Sequence, residues 1–240
     1  MSYTIVTVAN KKPTENYYTF DEFFKSLNGE QISILGTHEG EYGGLGSKPR
    51  LLYHAIKNGD IKERHIIFCD CFDLVFAVPP KELFKKYLQF ASPFVISAER
   101  NCFPDTHKKE YDDLGEDFDS PYKYLNSGMI VAETDAMFTV LESMDAKNIP
   151  NDYWDGEKMI NPNDQEYYQK EFLKQPIPMV LDRYQILCNT LHDVKEDEFG
   201  FTQERLFNKV TGTYPCSFHL NGGAKTGECR TPILKHLKLL

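Results

Sequence analysis

The segment that most constrains the fold is His65-Ile66-Ile67-Phe68-Cys69, an apolar run that leads directly into Asp70 and Asp73. A strand with no polar alternation has no face to give to water, so it belongs in the middle of a sheet covered on both sides. Its neighbours supply such a cover. Tyr3 to Ala9 and Ile32 to Leu35 read as strands, and between them Phe20, Phe23, Phe24 and Leu27 recur at helical spacing. Thr19 with Glu22 suggests a capping box for that helix and Gly29 its stop.

The alternation continues down the chain. A Gly-rich loop, residues 38–47, precedes a helix bearing Leu51, Leu52, Ala55 and Ile56 that ends near Asn58-Gly59. Pro79-Pro80 opens another helix, with Leu83, Phe84, Tyr87 and Leu88. Phe94 to Ala98 and Met129 to Ala132 read as strands, and the acidic stretch from Asp105 to Ser120 between them as a surface loop. Thr134 starts a helix with Met137, Phe138 and Leu141, and Asn163 caps one carrying Tyr167, Tyr168 and Phe172. The expectation is an α/β fold in one domain, residues 1–240, with a mostly parallel central sheet and helices on both faces.

In open α/β sheets, ligands bind beyond the carboxyl ends of the strands, which places Asp70 and Asp73 at a cleft. Two close carboxylates repel unless a cation or a proton intervenes. A hard divalent ion accepts oxygen ligands, keeps positions open for phosphate and neutralises charge growing on a leaving diphosphate. Asp is also a common turn residue, so the pair read alone equally suits a cap on the next turn. A phosphatase with a strand-end Asp nucleophile fits less well. That pattern wants D-x-D on the first strand, whereas this spacing is D-x-x-D on the third.

Composition narrows the field further. A net charge of -9 disfavours a protein-wide basic footprint for nucleic acid, and it suits a site that gathers cations. No apolar segment reaches the length of a membrane span, and Tyr3 to Ala9 is too short for a signal peptide, so a cytoplasmic location without membrane association is expected. Cys69, Cys71, Cys102, Cys188, Cys216 and Cys229 show no paired CxxC spacing and read as free, mostly buried thiols.

A longer series of segments points to a family. It comprises Thr7-Val8-Ala9-Asn10, Gly43-Gly44, Ser47-Lys48-Pro49-Arg50-Leu51-Leu52, Phe68 to Ala77, Ser97-Ala98-Glu99, Phe103-Pro104-Asp105, Asn126-Ser127-Gly128, Asp164-Gln165, Leu181-Asp182 and His219-Leu220-Asn221-Gly222. In this order, from about Thr4 to Lys225, the chain resembles the glycosyltransferase domain of the procollagen lysyl hydroxylase/glucosyltransferase enzymes and their stand-alone viral and bacterial relatives. The resemblance implies a GT-A (Rossmann-like) fold and a UDP-sugar donor held by Mn²⁺ or Mg²⁺.

It also implies roles. Asp70, Asp73 and His219 match the metal ligands. Thr7, Val8 and Ala9 match the strand end lining the nucleoside pocket, and Phe72 stands where the family has a tyrosine stacked on uracil. Lys48 and Lys225 fall near the diphosphate, Gly222 belongs to the donor-binding set, and Gly43-Gly44 lie in a loop that closes over the donor. Asn126, Asp164 and Gln165 map to the donor sugar and reaction centre, with Asp164 positioning sugar or acceptor rather than acting as a covalent nucleophile. The chain departs from the pattern in two places. Asn161-Pro162-Asn163 replaces an acidic run, and Asn126 replaces a glycine, which leaves the sugar and acceptor open.

The implied reaction is glycosyl transfer to a hydroxyl with retention of configuration. A stand-alone domain suits a virus, phage or bacterium, and the host cytoplasm in the first two cases. The acceptor expected first is a 5-hydroxymethylpyrimidine of phage DNA, with Lys108-Lys109, Lys123 and the tail from Arg230 to Lys238 as candidate DNA contacts. The alternatives are hydroxylysine in a collagen-like protein, and a nucleotide-sugar-binding protein without catalysis.

Overall fold

The computed structural model describes residues 2–10, 18–38, 40–114, 119–202 and 205–240. Residue 39 of the Gly-rich segment and residues 115–118 of the acidic stretch lie outside them.

The strands, in chain order, are β1 (Tyr3–Val8), β2 (Ile32–Leu35), β3 (His65–Cys69), β4 (Leu74–Phe76), β5 (Phe94–Glu99), β6 (Tyr124–Glu133), β7 (Tyr153–Trp154), β8 (Met159–Ile160), β9 (Met179–Asp182), β10 (Cys188–Thr190), β11 (Phe199–Phe201), β12 (Leu206–Asn208) and β13 (Ser217–His219). The helices are α1 (Phe20–Ser26), α2 (Ser47–Lys57), α3 (Pro80–Tyr87), α4 (Lys108–Asp113), α5 (Thr134–Ser143), α6 (Asp164–Lys174) and α7 (Arg230–His236).

The main sheet has the order β2-β1-β3-β6-β5-β9. β2, β1 and β3 run parallel, as do β5 and β9, whereas β6 is antiparallel to both of its neighbours. All five residues of β3 are buried, as its uninterrupted apolar run requires. Its side chains alternate between two cores. Ile66 and Phe68 join Leu52 and Tyr53 of α2, Met137 and Val140 of α5, and Tyr168 and Phe172 of α6. Ile67 and Cys69 face Phe23 of α1 and Leu83, Phe84 and Tyr87 of α3. Helices thus cover both faces, and burying each large apolar side chain contributes about 1.5–3 kcal/mol.

Three local expectations change. Met129 to Ala132 is only the end of β6, a ten-residue strand that reaches back through Asn126-Ser127-Gly128. Part of the acidic stretch is helical. Lys108 and Lys109 pair with Asp112 and Asp113 one turn on, and the Tyr111 ring stacks on Phe172 of α6 with centroids 5.7 Å apart, which fixes α4 to the body. Thr19 makes no side-chain cap; its backbone N–H donates to Phe72 O at 2.8 Å instead, tying α1 to the turn after β3. Asn163, by contrast, caps α6 as its type predicts, its Oδ1 accepting from Gln165 N at 3.0 Å.

A second sheet, β10-β13-β4, lies beside the first. β13 pairs parallel with β10 and antiparallel with β4, setting His219 opposite Leu74. This small sheet carries a residue from near the end of the chain to the tip of β3. All six cysteines are free thiols, and five are buried.

Candidate functional site

β3 ends at Cys69, and the following turn presents Asp70 and Asp73 beyond the sheet. The Asp70 backbone N–H donates to Gly128 O of β6 at 2.9 Å, which anchors the start of that turn. His219, at the end of β13, points between the two carboxylates. Its Nε2 lies 3.1 Å from Asp73 Oδ1 and 4.0 Å from Asp70 Oδ2. One candidate ligand atom from each of the three residues lies within 4.8 Å of the others.

The opposite oxygens of the two acids are held by ammonium groups. Lys48 Nζ is 2.6 Å from Asp70 Oδ1 and 3.6 Å from Asp164 Oδ2. Lys225 Nζ is 2.9 Å from Asp73 Oδ2 and lies over the Tyr18 ring at 5.3 Å. Burial pushes the Asp73 carboxyl upward, but His219 and Lys225 beside it outweigh that and hold it well below the usual carboxylate range. Asp70 goes the other way. Burial raises it, and Asp73 and Asp164 add to the rise against the pull of Lys48. Burial would lower His219, yet Asp73 and Asp70 leave it raised, so the imidazole favours its charged form here.

His219 is held from behind as well. Its Nδ1 lies 2.9 Å from Asn126 Oδ1, which also accepts from Gly128 N at 3.0 Å. An amide oxygen only accepts, so Nδ1 carries a proton and Nε2 is left to face the acids. Gly128 makes the room for the ring. A Cβ there would lie 2.1 Å from His219 Cε1.

A second network lines the adjoining wall, and sequence reasoning gave its centre no role. Glu99, at the end of β5, is 4% exposed. Its Oε1 accepts from Gln165 Nε2 at 2.7 Å and Asn126 Nδ2 at 3.3 Å, and its Oε2 from Asn221 Nδ2 at 2.9 Å. Burial raises the Glu99 carboxyl against the pull of the Gln165 and Asn126 donors. The sequence signal was there in part, because Glu99 and Asn221 both sit in recognised segments. Their convergence is tertiary. Gln165 also fixes β6, its Oε1 accepting from Ser127 N at 3.0 Å. Asp164 Oδ2 is buried without a hydrogen-bond partner, although Lys48 stands near.

These groups surround a cavity of about 530 Å³. Lys48, Asp70, Asp73, Asn126, Asp164, Gln165, His219, Gly222 and Lys225 all line it, as do Glu99, Asn221 and His192. Thr7, Val8, Ala9 and Phe72 are not among its lining residues. Thr7 is fully buried and its Oγ1 donates to Cys69 O at 2.7 Å; Val8 and Ala9 are buried beside it. Phe72 packs with Phe20 and Tyr18, with centroid distances of 5.8 Å to each. Tyr18 joins that aromatic group to Lys225, so Phe72 adjoins the cavity's edge.

The glycines of the loop before α2 answer to packing. Asp152 N donates to Gly43 O at 2.6 Å, and a Cβ on Gly44 would lie 2.0 Å from Asp152 Oδ1. Only residues without side chains let segment 151–152 come this close.

Two carboxylates suit a hard divalent ion and an imidazole can join them on Mn²⁺, and ligand atoms of Asp70, Asp73 and His219 within 4.8 Å of one another could hold such an ion. The fold is that of GT-A glycosyltransferases. Mouse xyloside xylosyltransferase 1 superposes with a TM-score of 0.54 at 14% identity, covering 96% of this chain and 99% of that one. A glycosyltransferase involved in glycosylation of the major capsid of PBCV-1 gives 0.52 at 12% identity, covering 98% of each.

Residues 1–228 match the PLOD GT domain model, and the chain belongs to that family. Human procollagen-lysine,2-oxoglutarate 5-dioxygenase 1 is 30% identical over 237 residues, covering 92% of this chain and 30% of that protein. The uncharacterized protein R699 of Acanthamoeba polyphaga mimivirus is 32% identical over 195 residues, covering 79% of this chain and 38% of its own length. The chain spans about a third of the length of these relatives. Its function is of the glycosyltransferase type. Among the described residues, no helix is long and apolar enough to cross a membrane.

Proposed function

We propose that the chain is a metal-dependent transferase that moves a sugar from a UDP-sugar to a hydroxyl acceptor, working as one GT-A unit. The observation that carries this reading is the Asp70/Asp73/His219 cluster, flanked by the two lysines and opening into the same cavity as Asp164 and Gln165. Asp70, Asp73 and His219 would hold the divalent ion, which supplies a Lewis acid for the diphosphate. Lys48 and Lys225 add positive charge where the leaving group departs. The bond from C1 of the sugar to the diphosphate oxygen breaks and a bond from the acceptor oxygen forms, with the acceptor proton and UDP released. Retention of configuration is part of the proposal. Asp164, whose Oδ2 has no hydrogen-bond partner, is the group we assign to a sugar or acceptor hydroxyl. Asn126 and Gln165, tied to Glu99, shape that wall. Thr7, Val8, Ala9 and Phe72 are assigned to the nucleoside side, and Gly222 to the diphosphate.

For the acceptor, the hydroxylysine of a collagen-like protein is the favoured reading. Lys108 and Lys109, the first candidates for DNA contact, are paired with Asp112 and Asp113 and bring no net positive charge. A 5-hydroxymethylpyrimidine in DNA is the second reading. Incubation with UDP-sugars and Mn²⁺, followed by mass spectrometry of offered peptide and DNA, tests the proposal. UDP release with a hexose or pentose mass added to the peptide is expected. Nucleotide binding with no UDP release under any acceptor would reduce the protein to a binder, and NMR of the product's anomeric proton tests retention.

A further inference from the structure

Each acid of the cluster divides its two oxygens in the same way. Asp70 turns Oδ2 toward His219 and gives Oδ1 to Lys48 at 2.6 Å. Asp73 turns Oδ1 toward His219 and gives Oδ2 to Lys225 at 2.9 Å. The two lysines come from distant parts of the chain, Lys48 from the first turn of α2 and Lys225 from the segment after β13. Lys48 is 5% exposed, so its charge is screened little by water. Two ammonium groups and the imidazole offset the carboxylates of Asp70, Asp73 and Asp164, so a divalent ion entering alone meets a set with no excess negative charge and with like charge on either side. A diphosphate reverses that balance, because its oxygens can take both the ion and the ammonium groups.

Resting on the transferase reading above, we propose that Lys48 and Lys225 act as exchangeable counterions that make divalent-ion binding depend on the nucleotide diphosphate. In the free protein they hold the outer oxygens of Asp70 and Asp73. With the nucleotide bound they pass to the phosphates, and the carboxylates are freed for the ion. The site therefore loads as an ion–diphosphate pair, and because coupling is reciprocal, the ion raises nucleotide affinity by the factor by which the nucleotide raises ion affinity. Tyr18, under the Lys225 ammonium at 5.3 Å, keeps that lysine at the site when it leaves Asp73.

The test is Mn²⁺ binding to the full chain, followed by the EPR signal of free Mn²⁺, with and without UDP. In the wild type, Mn²⁺ alone is expected to bind weakly, and UDP to tighten it by at least about a hundredfold, two opposite-charge contacts being exchanged. Lys225→Met is expected to tighten Mn²⁺ binding without UDP about tenfold and to shrink the UDP effect by a similar factor. Lys48→Met should do the same, provided circular dichroism shows it folded, since it leaves Asp70 and Asp164 buried beside each other. Lys225→Arg keeps the charge and should keep most of the coupling. Mn²⁺ affinities in the absence of UDP that are equal for the wild type and the Met variants, with UDP-dependent binding intact, overturn the exchange alone. No Mn²⁺ binding by any of the proteins even with UDP removes the metal reading and the exchange with it.

Discussion

Two walls of one cavity use carboxylates in opposite ways. On the first, Asp70 and Asp73 face an imidazole and two ammonium groups. On the second, Glu99 accepts hydrogen bonds from the side-chain amides of Asn126, Gln165 and Asn221. Charged partners that can be traded suit a site that must accept an ion and a diphosphate and release them. Amide donors locked on a buried acid suit a surface that must keep its shape. His219 connects the two, with Nε2 on the exchangeable side and Nδ1 on the Asn126 oxygen of the rigid side.

The contrast can be broken at each wall. Replacing both Asp70 and Asp73 by Ala should lower UDP release by about a thousandfold or more while the far-UV circular dichroism stays native, because the charge stabilisation of the leaving group is lost. A double variant with full transferase activity would end the metal reading. Gly128→Ala attacks the joint between the walls. A methyl placed 2.1 Å from the imidazole must displace His219, and we expect about a hundredfold loss of activity with about 1–3 kcal/mol of stability lost in urea unfolding. Activity and stability like the wild type's would show that the ring has slack the geometry does not suggest.

Proton competition should distinguish the exchangeable wall. Asp73 and Asp70 hold His219 above its ordinary value against burial, so Nε2 must lose a proton before it can bind an ion. The folded value being raised, the imidazolium–Asp73 pair is present at low pH and lost as pH climbs through that value. Metal affinity runs the other way. It should fall about tenfold per pH unit below it, with one proton released per ion, measurable by calorimetry in buffers of different ionisation enthalpy. Affinity flat between pH 6 and 8 would contradict this. On the rigid wall, Glu99→Gln keeps the shape but sets an amide N–H₂ against amide donors. An activity loss of about tenfold, with about 1–3 kcal/mol of stability and unchanged Mn²⁺ affinity in the presence of UDP, is expected. A large change in Mn²⁺ affinity would mean that the two walls act as one.

The sequence carried much of this. Short apolar runs and helical apolar spacing located β1, β2, β3, β5, α1, α2, α3, α5 and α6, because those patterns are set by local backbone geometry. The antiparallel course of β6 was not legible. Its residues are almost all buried, and a fully buried strand carries no mark of direction. Helix α4 was hidden under an acidic composition that its own lysine pairs neutralise.

By itself, then, the sequence determined an α/β chain with an acid pair at the tip of its central apolar strand, since strand burial and the adjoining turn are written in consecutive residues. Residue spacing did not decide which groups meet that pair: the family resemblance named His219, and the tertiary structure brings it there with Lys48 and Lys225. His219 reaches Asp73 across 146 residues, and Asn221 reaches Glu99 across 122. Contacts at that separation depend on how strands order and cross in the sheets, and spacing along a chain holds no measure of that distance.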